Sequence, residues 1–382
     1  MKKLFCMIFA LTMILSSCGS ITPSEPEITK VIAPDDPDIS DIPSTEISVE
    51  PSYVDILLDS MTIEEKVGQL ILVRVDQDTN TAIENIQKYH IGGYVLFASE
   101  FEDRDMTSAK EYINSLQAAS NIPLTIAVDE EGGTVVRVSK FKQYRSEKFG
   151  SPRELLLQNN VEADTAERCE LLSSLGINLN LAPVADISTN KNDFIYYRSA
   201  GDLESAVEYV KTFVSSSIGV GTTLKHFPGY GGNADTHTSA VTDTRDYSIF
   251  TERDFLPFSA GIEAGADYIM VSHNTVLCMD PEYPASLSPE VHRILREELG
   301  FDGIITTDDL SMDAIADNYG IGEAAVLAFE AGNDVICTSE LQKTYEALLS
   351  AVNSGRISIE HLNESVRRIL DWKTNEGIII TD

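Results

Sequence analysis

Eight short apolar runs recur along the chain, at Leu70 to Val75, Gly93 to Phe97, Leu124 to Val128, Leu179 to Ala185, Thr223 to Leu224, Tyr268 to Val271, Gly303 to Thr306 and Val335 to Cys337. Continuous Val, Ile and Leu runs of this length suit strands buried on both faces, as in a parallel sheet covered by helices. Between them, Met106 to Ser120, Glu162 to Leu175, Leu203 to Ile218, Glu290 to Leu299 and Gly322 to Ala331 carry apolar residues at helical spacing. Gly176, Gly219, Gly265, Gly300 and Gly332 read as helix stops, since glycine takes the left-handed conformation past a last turn without steric cost. Strand and helix alternating eight times predicts an α/β fold, a (β/α)8 barrel of the TIM type. A doubly wound open sheet would also gather strand ends, but no Gly-x-Gly-x-x-Gly follows the first run.

The polar residues favour the barrel too. Asp129, Asp186, Lys225 with His226, His273 and Asp308 follow the third to seventh runs, so all are expected at one face, where barrel enzymes place their chemistry. Asp308, first of the pair Asp308-Asp309, is expected to do chemistry as a nucleophile or an oxocarbenium stabiliser, while Asp309 or Ser311 caps the next helix. In Asp129-Glu130-Glu131-Gly132-Gly133 the chain turns sharply, and Asp129 is placed to accept ligand hydroxyls. Sequence neighbours diverge at such a turn, so neither a catalytic metal nor a cofactor is expected. Arg137, Arg198 and His273 are weaker signals taken singly, each also readable as a surface ion pair or a core imidazole. The glycine-rich stretch from Lys225 to His237 ends in Asp235-Thr236-His237, where a carboxylate two residues from an imidazole can fix its tautomer for proton transfer.

The N-terminus is organised differently. Lys2 and Lys3 precede an apolar run from Leu4 to Leu15, shorter than the roughly 20 residues a spanning helix needs, so residues 1–17 read as an export signal. Leu15-Ser16-Ser17-Cys18 resembles a bacterial lipobox, which implies lipid on Cys18 as first mature residue and an exported protein held on the extracytoplasmic side of the cell membrane by lipid alone. An ordinary cleaved secretory signal is the alternative. Residues 18–51 are rich in Pro, Ser, Asp and Glu and read as a disordered tether, roughly 100 Å long when fully extended. Residues 52–382 are left for a single barrel domain. A formal net charge of −33 argues against a nucleic-acid partner. Cys169, Cys278 and Cys337 lack zinc or disulfide spacing and read as separate buried thiols.

Taken together, these residues resemble glycoside hydrolase family 3, and within it the single-domain bacterial β-N-acetylglucosaminidases, over about Met61 to Trp372. The resemblance rests on Ile126 to Gly133, on Arg137, on Arg198-Ser199-Ala200-Gly201, on Lys225-His226-Phe227-Pro228-Gly229, on Asp235-Thr236-His237 and on Thr307-Asp308-Asp309-Leu310-Ser311-Met312. It implies that Asp129, Arg137, Arg198, Lys225, His226 and His273 bind the sugar, that Asp308 is the nucleophile and that Asp235 with His237 is the acid/base dyad. The implied reaction is retaining hydrolysis of terminal β-linked N-acetylglucosamine from peptidoglycan fragments or chitooligosaccharides. Two departures stand out: Tyr230-Gly231-Gly232-Asn233 replaces the family's Gly-His-Gly-Asp approach to the dyad, and Thr134 stands where an arginine is usual. The chain ends about ten residues after Trp372, so the proton is expected from the barrel's own loop. Phosphorolysis on the same site and a non-catalytic saccharide-binding protein are the rival expectations.

Overall fold

The computed structural model describes residues 51–76, 78–236 and 240–381. The export signal, Cys18, the tether and His237 lie outside the described residues. The eight predicted strands all form: β1 Ile71–Arg74, β2 Gly93–Leu96, β3 Thr125–Val128, β4 Leu179–Asn180, β5 Gly221–Phe227, β6 Tyr268–Val271, β7 Ile304–Thr307 and β8 Ile336–Thr338. They lie in the order β8-β1-β2-β3-β4-β5-β6-β7 with every pairing parallel. A bridge from Thr306 to Val335 brings β7 to β8 and closes the barrel.

The predicted helices occur at Met106–Ala118, Val161–Leu175, Leu203–Ser216 and Ile321–Ala331, close to the expected bounds, while the one expected over Glu290 to Leu299 is α-helical only at Pro289–Arg293 and continues as a π-helix at Ile294–Glu298. Gly176 and Gly332 end two of them at φ of 89° and 117°, the left-handed geometry that a side chain at Cβ would resist. Among the described residues no helix is long and apolar enough to cross a membrane.

Two predicted strands differ in length. β5 runs past Thr223 and Leu224 through the polar Lys225 and His226, which therefore lie within the strand rather than after it. Its pairing with β6 slips between Lys225 and Phe227. Both Lys225 and His226 consequently reach the central cavity, where regular alternation would send them to opposite faces. Phe227 points outward instead, stacked on Phe255 at 5.3 Å and edge-on to Phe258 at 5.1 Å. Burying one such ring contributes roughly 1.5–3 kcal/mol, which secures the strand behind its charged end. β4 is shorter than expected, because Pro183 has no N–H to donate to a ladder.

The thiols need one correction. Cys169 and Cys337 are buried as expected, but Cys278 is exposed, on a loop beyond the short pairing of Thr275–Val276 with Thr242–Asp243.

Candidate active site

At the C-terminal mouth of the barrel a cavity of about 420 Å³ is lined by Asp129, Arg137, Arg198, Lys225, His226 and Asp308, six residues singled out from sequence. The sharp turn after β3 explains the first of these. Gly132 has φ of 93°, and a Cβ there would meet the Gly150 carbonyl oxygen at 2.1 Å. The turn folds the chain back so that Glu130, fully buried, accepts hydrogen bonds from the backbone N–H groups of Arg137 (2.8 Å), Val138 (2.8 Å) and Ser139 (3.1 Å) and from the Ser139 hydroxyl. Asp129 and Glu131, on either side of it, face the cavity.

Glu131 is the residue that sequence reasoning missed. It accepts from Arg198 Nε at 2.9 Å and Nη2 at 2.8 Å, and it lies 2.7 Å from Lys225 Nζ. Burial disfavours its charge, but Arg198 and Lys225 outweigh that and hold its carboxyl well below the usual carboxylate range. The same balance governs Lys225: burial works against the ammonium, while Asp129 and Glu131 raise its pKa above the ordinary value. Only its position beside two glycines, two residues from Asp129, could have marked Glu131 in advance.

Asp186, noted from sequence only as a strand-end acid, anchors His226. Its Oδ2 lies 2.7 Å from His226 Nδ1 and accepts the His226 backbone N–H at 3.0 Å. Arg198 Nη2 lies 3.1 Å from His226 Nε2. A guanidinium can only donate, so Nε2 accepts and Nδ1 carries the proton given to Asp186. Asp186 Oδ1 also accepts the Tyr230 backbone N–H at 2.7 Å, which ties the glycine-rich loop to the cavity-facing imidazole.

Of the acidic pair after β7, neither Asp309 nor the nearby Ser311 caps the next helix as expected: helix Asp313–Tyr319 has Met312 at its N-cap and no side-chain cap bond. Asp308 lines the cavity, with its backbone N–H bonded to the Val271 carbonyl at 3.0 Å. Asp309 accepts from Ser311 N at 2.8 Å, Ser339 N at 3.1 Å and Ser339 Oγ at 2.6 Å, so it holds the turn. Arg74, Val95, Phe97, Met270, Met312 and Cys337 also line the cavity. Burial and the nearby Asp309 and Asp308 push the Cys337 thiol up, away from the thiolate form.

His273 departs from its expected place. Its Nδ1 meets Ser286 Oγ at 2.7 Å and its Nε2 meets the Asp309 carbonyl at 3.0 Å. The ring is buried beneath the Asp308-Asp309 turn and is absent from the cavity lining, so it supports that turn. Asp235 is half-buried and also off the wall. Its neighbour Thr236 is fully buried, with Oγ1 2.6 Å from the Tyr230 hydroxyl. Asn233 Nδ2 donates to Asp243 Oδ2 at 2.7 Å, and Arg245 donates to the Gly229 carbonyl at 2.8 Å and to Asp254 at 2.6 Å. These contacts anchor the loop at Gly229 and Asn233. Among the described residues no three His, Cys, Asp or Glu side chains are grouped as metal ligands.

A closed parallel barrel with acids, a lysine and an imidazole at its C-terminal mouth is the frame of a glycoside hydrolase. Residues 62–372 match the glycosyl hydrolase family 3 N-terminal domain, and the chain belongs to that family. It is 30% identical over 390 residues to the protein named β-hexosaminidase LpqI of Mycobacterium tuberculosis, with 97% of each chain covered. A family 3 β-N-acetylglucosaminidase from Paenibacillus superposes with a TM-score of 0.77 at 31% identity, over 85% of this chain and 64% of that one. This chain thus spans somewhat under two thirds of the Paenibacillus protein. The β-glucoside phosphorylase BglX superposes with a TM-score of 0.77 at 25% identity, over 85% of this chain and 61% of that one.

Proposed function

We propose that this glycoside hydrolase removes terminal β-linked N-acetylglucosamine from peptidoglycan fragments or chitooligosaccharides, with retention of configuration. The observation that carries the reading is the shared cavity of Asp308 and the charge-matched group Asp129, Glu131, Lys225, Arg198 and His226. Hydroxyls of a sugar at that group meet fixed donors and acceptors, and Asp308 faces the space above them. The names of the curated relative and of the Paenibacillus structure support N-acetylglucosamine as the sugar.

In the first step an Asp308 carboxylate oxygen attacks the anomeric carbon. The bond to the leaving oxygen breaks as His237, oriented by Asp235, gives that oxygen a proton. In the second, water attacks the same carbon, the bond to Asp308 breaks, and the imidazole takes the water's proton. The dyad's roles come from the family resemblance and from chain position, since His237 lies outside the described residues. Closure of the loop on bound substrate would bring the dyad to the bond.

Release of p-nitrophenol from its β-N-acetylglucosaminide, abolished in Asp308→Asn, tests the reading; turnover unchanged by that substitution sinks it. Likeness to a phosphorylase supports a second reading, in which phosphate replaces water and product appears as the sugar 1-phosphate. Product analysis with and without phosphate separates the two. Saccharide binding without any release would instead favour a binding protein.

The location belongs to the same proposal. Export and lipid attachment at Cys18 would hold the domain outside the cytoplasmic membrane on its acidic tether. Metabolic labelling with a palmitate analogue should mark the wild type and not Cys18→Ser; equal labelling of both overturns it.

A further inference from the structure

We propose that the mouth of the cavity holds an anion subsite, formed by Arg74 with Phe97 and Arg137, for a carboxylate on the part of the saccharide beyond the terminal sugar. It rests on the exo-glycosidase reading above. β1 is buried for three residues and ends in the exposed Arg74, which therefore stands at the rim, not in the depth. The Arg74 guanidinium carbon lies 4.4 Å from the centre of the Phe97 ring, and that of Arg137 lies 5.5 Å from the same ring. An aromatic face holds a guanidinium in plane while leaving its edge donors open, the arrangement that grips a carboxylate by two parallel bonds.

Charge matching singles out the same place. Lys225 is shared by Asp129 and Glu131, and Arg198 is taken by Glu131. Arg137 reaches Asp129 only at 3.5 Å, and its Nε is buried without a hydrogen-bond partner. Among the described residues Arg74 has no carboxylate within ion-pair distance, in a chain of net charge −33. Asp308 and Asp309 line the same cavity and repel an anion beside them, so an anion there needs the Arg74 and Arg137 guanidinium groups. A chitooligosaccharide would leave this subsite empty, whereas a saccharide with an acidic substituent next to the terminal sugar would fill it. Free phosphate shares the recognising chemistry, and the test below separates the two.

Two 1-thio-β-N-acetylglucosaminides, which resist cleavage, are titrated calorimetrically into the full chain. One carries a 4-carboxyphenyl group and the other its 4-carbamoylphenyl isostere, in phosphate-free buffer and again with millimolar inorganic phosphate. The acid should bind about five- to tenfold more tightly than the amide. Arg74→Met should bring the two within about twofold of each other, with Arg74→Lys between, because it keeps charge and loses the fork. Equal affinities in the wild type, or an advantage that survives Arg74→Met, overturn the subsite and leave the exo-glycosidase reading standing. An advantage that phosphate erases assigns the subsite to free phosphate and overturns the carboxylate. Failure of both analogues to bind overturns the sugar reading and the subsite together.

Discussion

Lys225 Nζ lies 2.7 Å from Glu131 Oε1, an ion pair in which both side chains are almost wholly buried. Removing one partner of such a pair leaves an uncompensated buried charge. Glu131→Gln should therefore cost about 3–5 kcal/mol at pH 7, measured by denaturant unfolding. The pH dependence has a definite sign. Glu131's carboxyl is held below its ordinary value of 4.5, so its contribution is complete above that value and is lost as pH falls further. The gap between wild type and variant should be constant from neutrality down to pH 4.5 and shrink below it; a gap that closes near pH 6 contradicts the pairing.

Asp308→Asn keeps the shape of the cavity and removes the charge of the proposed nucleophile. Turnover should fall by roughly 10⁴-fold. Binding of the free sugar, followed by calorimetry, should change little. Loss of binding together with turnover would mean that Asp308 holds the ligand rather than reacting with it.

Tyr230 and Thr236 share a hydrogen bond of 2.6 Å between fully buried side chains, and Thr236 is flanked in sequence by both members of the proposed dyad. Tyr230→Phe removes it and should cost about 1–2 kcal/mol of stability. If the bond also positions proton delivery, kcat should fall more for alkyl glycosides, whose leaving oxygen needs the proton, than for the p-nitrophenyl glycoside. A uniform fall across leaving groups would assign the bond to stability alone.

Lys373 is buried at the opposite end of the barrel, bonded to Gln69 Oε1 and the Gly92 carbonyl at 3.0 Å each. Burial lowers its pKa from 10.5 to about 7. Between those values the unfolded chain binds the extra proton, so stability gained from this site rises with pH, by up to about 1.4 kcal/mol per unit. Lys373→Met should remove that slope, so the wild type gains on the variant from pH 7 towards pH 10. Parallel stability curves would contradict the lowered pKa of the buried amine.

The barrel was legible because apolar runs and glycine stops depend on local chemistry that the sequence displays directly. Four of the six cavity residues, Asp129, Lys225, His226 and Asp308, were legible for a related reason: each sits at or near a strand end, and strand ends converge, whereas Arg137 and Arg198 lie on loops and were marked only by the family resemblance. Glu131 was hidden because its partners, Lys225 and Arg198, are distant in sequence, and only the fold brings two cations to one acid. His273 misled for the converse reason. Its strand-end position is right, yet the Ser286 hydroxyl and the Asp309 carbonyl, neither marked as partners by spacing, claim its ring. β5 was underestimated because its polar half looks like loop, although that half supplies two cavity side chains, Lys225 and His226.

Asp129, Glu130 and Glu131 are adjacent, yet one faces the cavity beside Lys225, one fastens the returning backbone and one binds two cations. A single inserted or deleted residue there would hand each acid its neighbour's task, and all three would fail at once. The segment has a reading frame in space, and chemically conservative swaps within it should be far from interchangeable. Attempts to redirect the enzyme towards other saccharides are better aimed at Arg74, Phe97 and Met312, where the wall can change without shifting that frame.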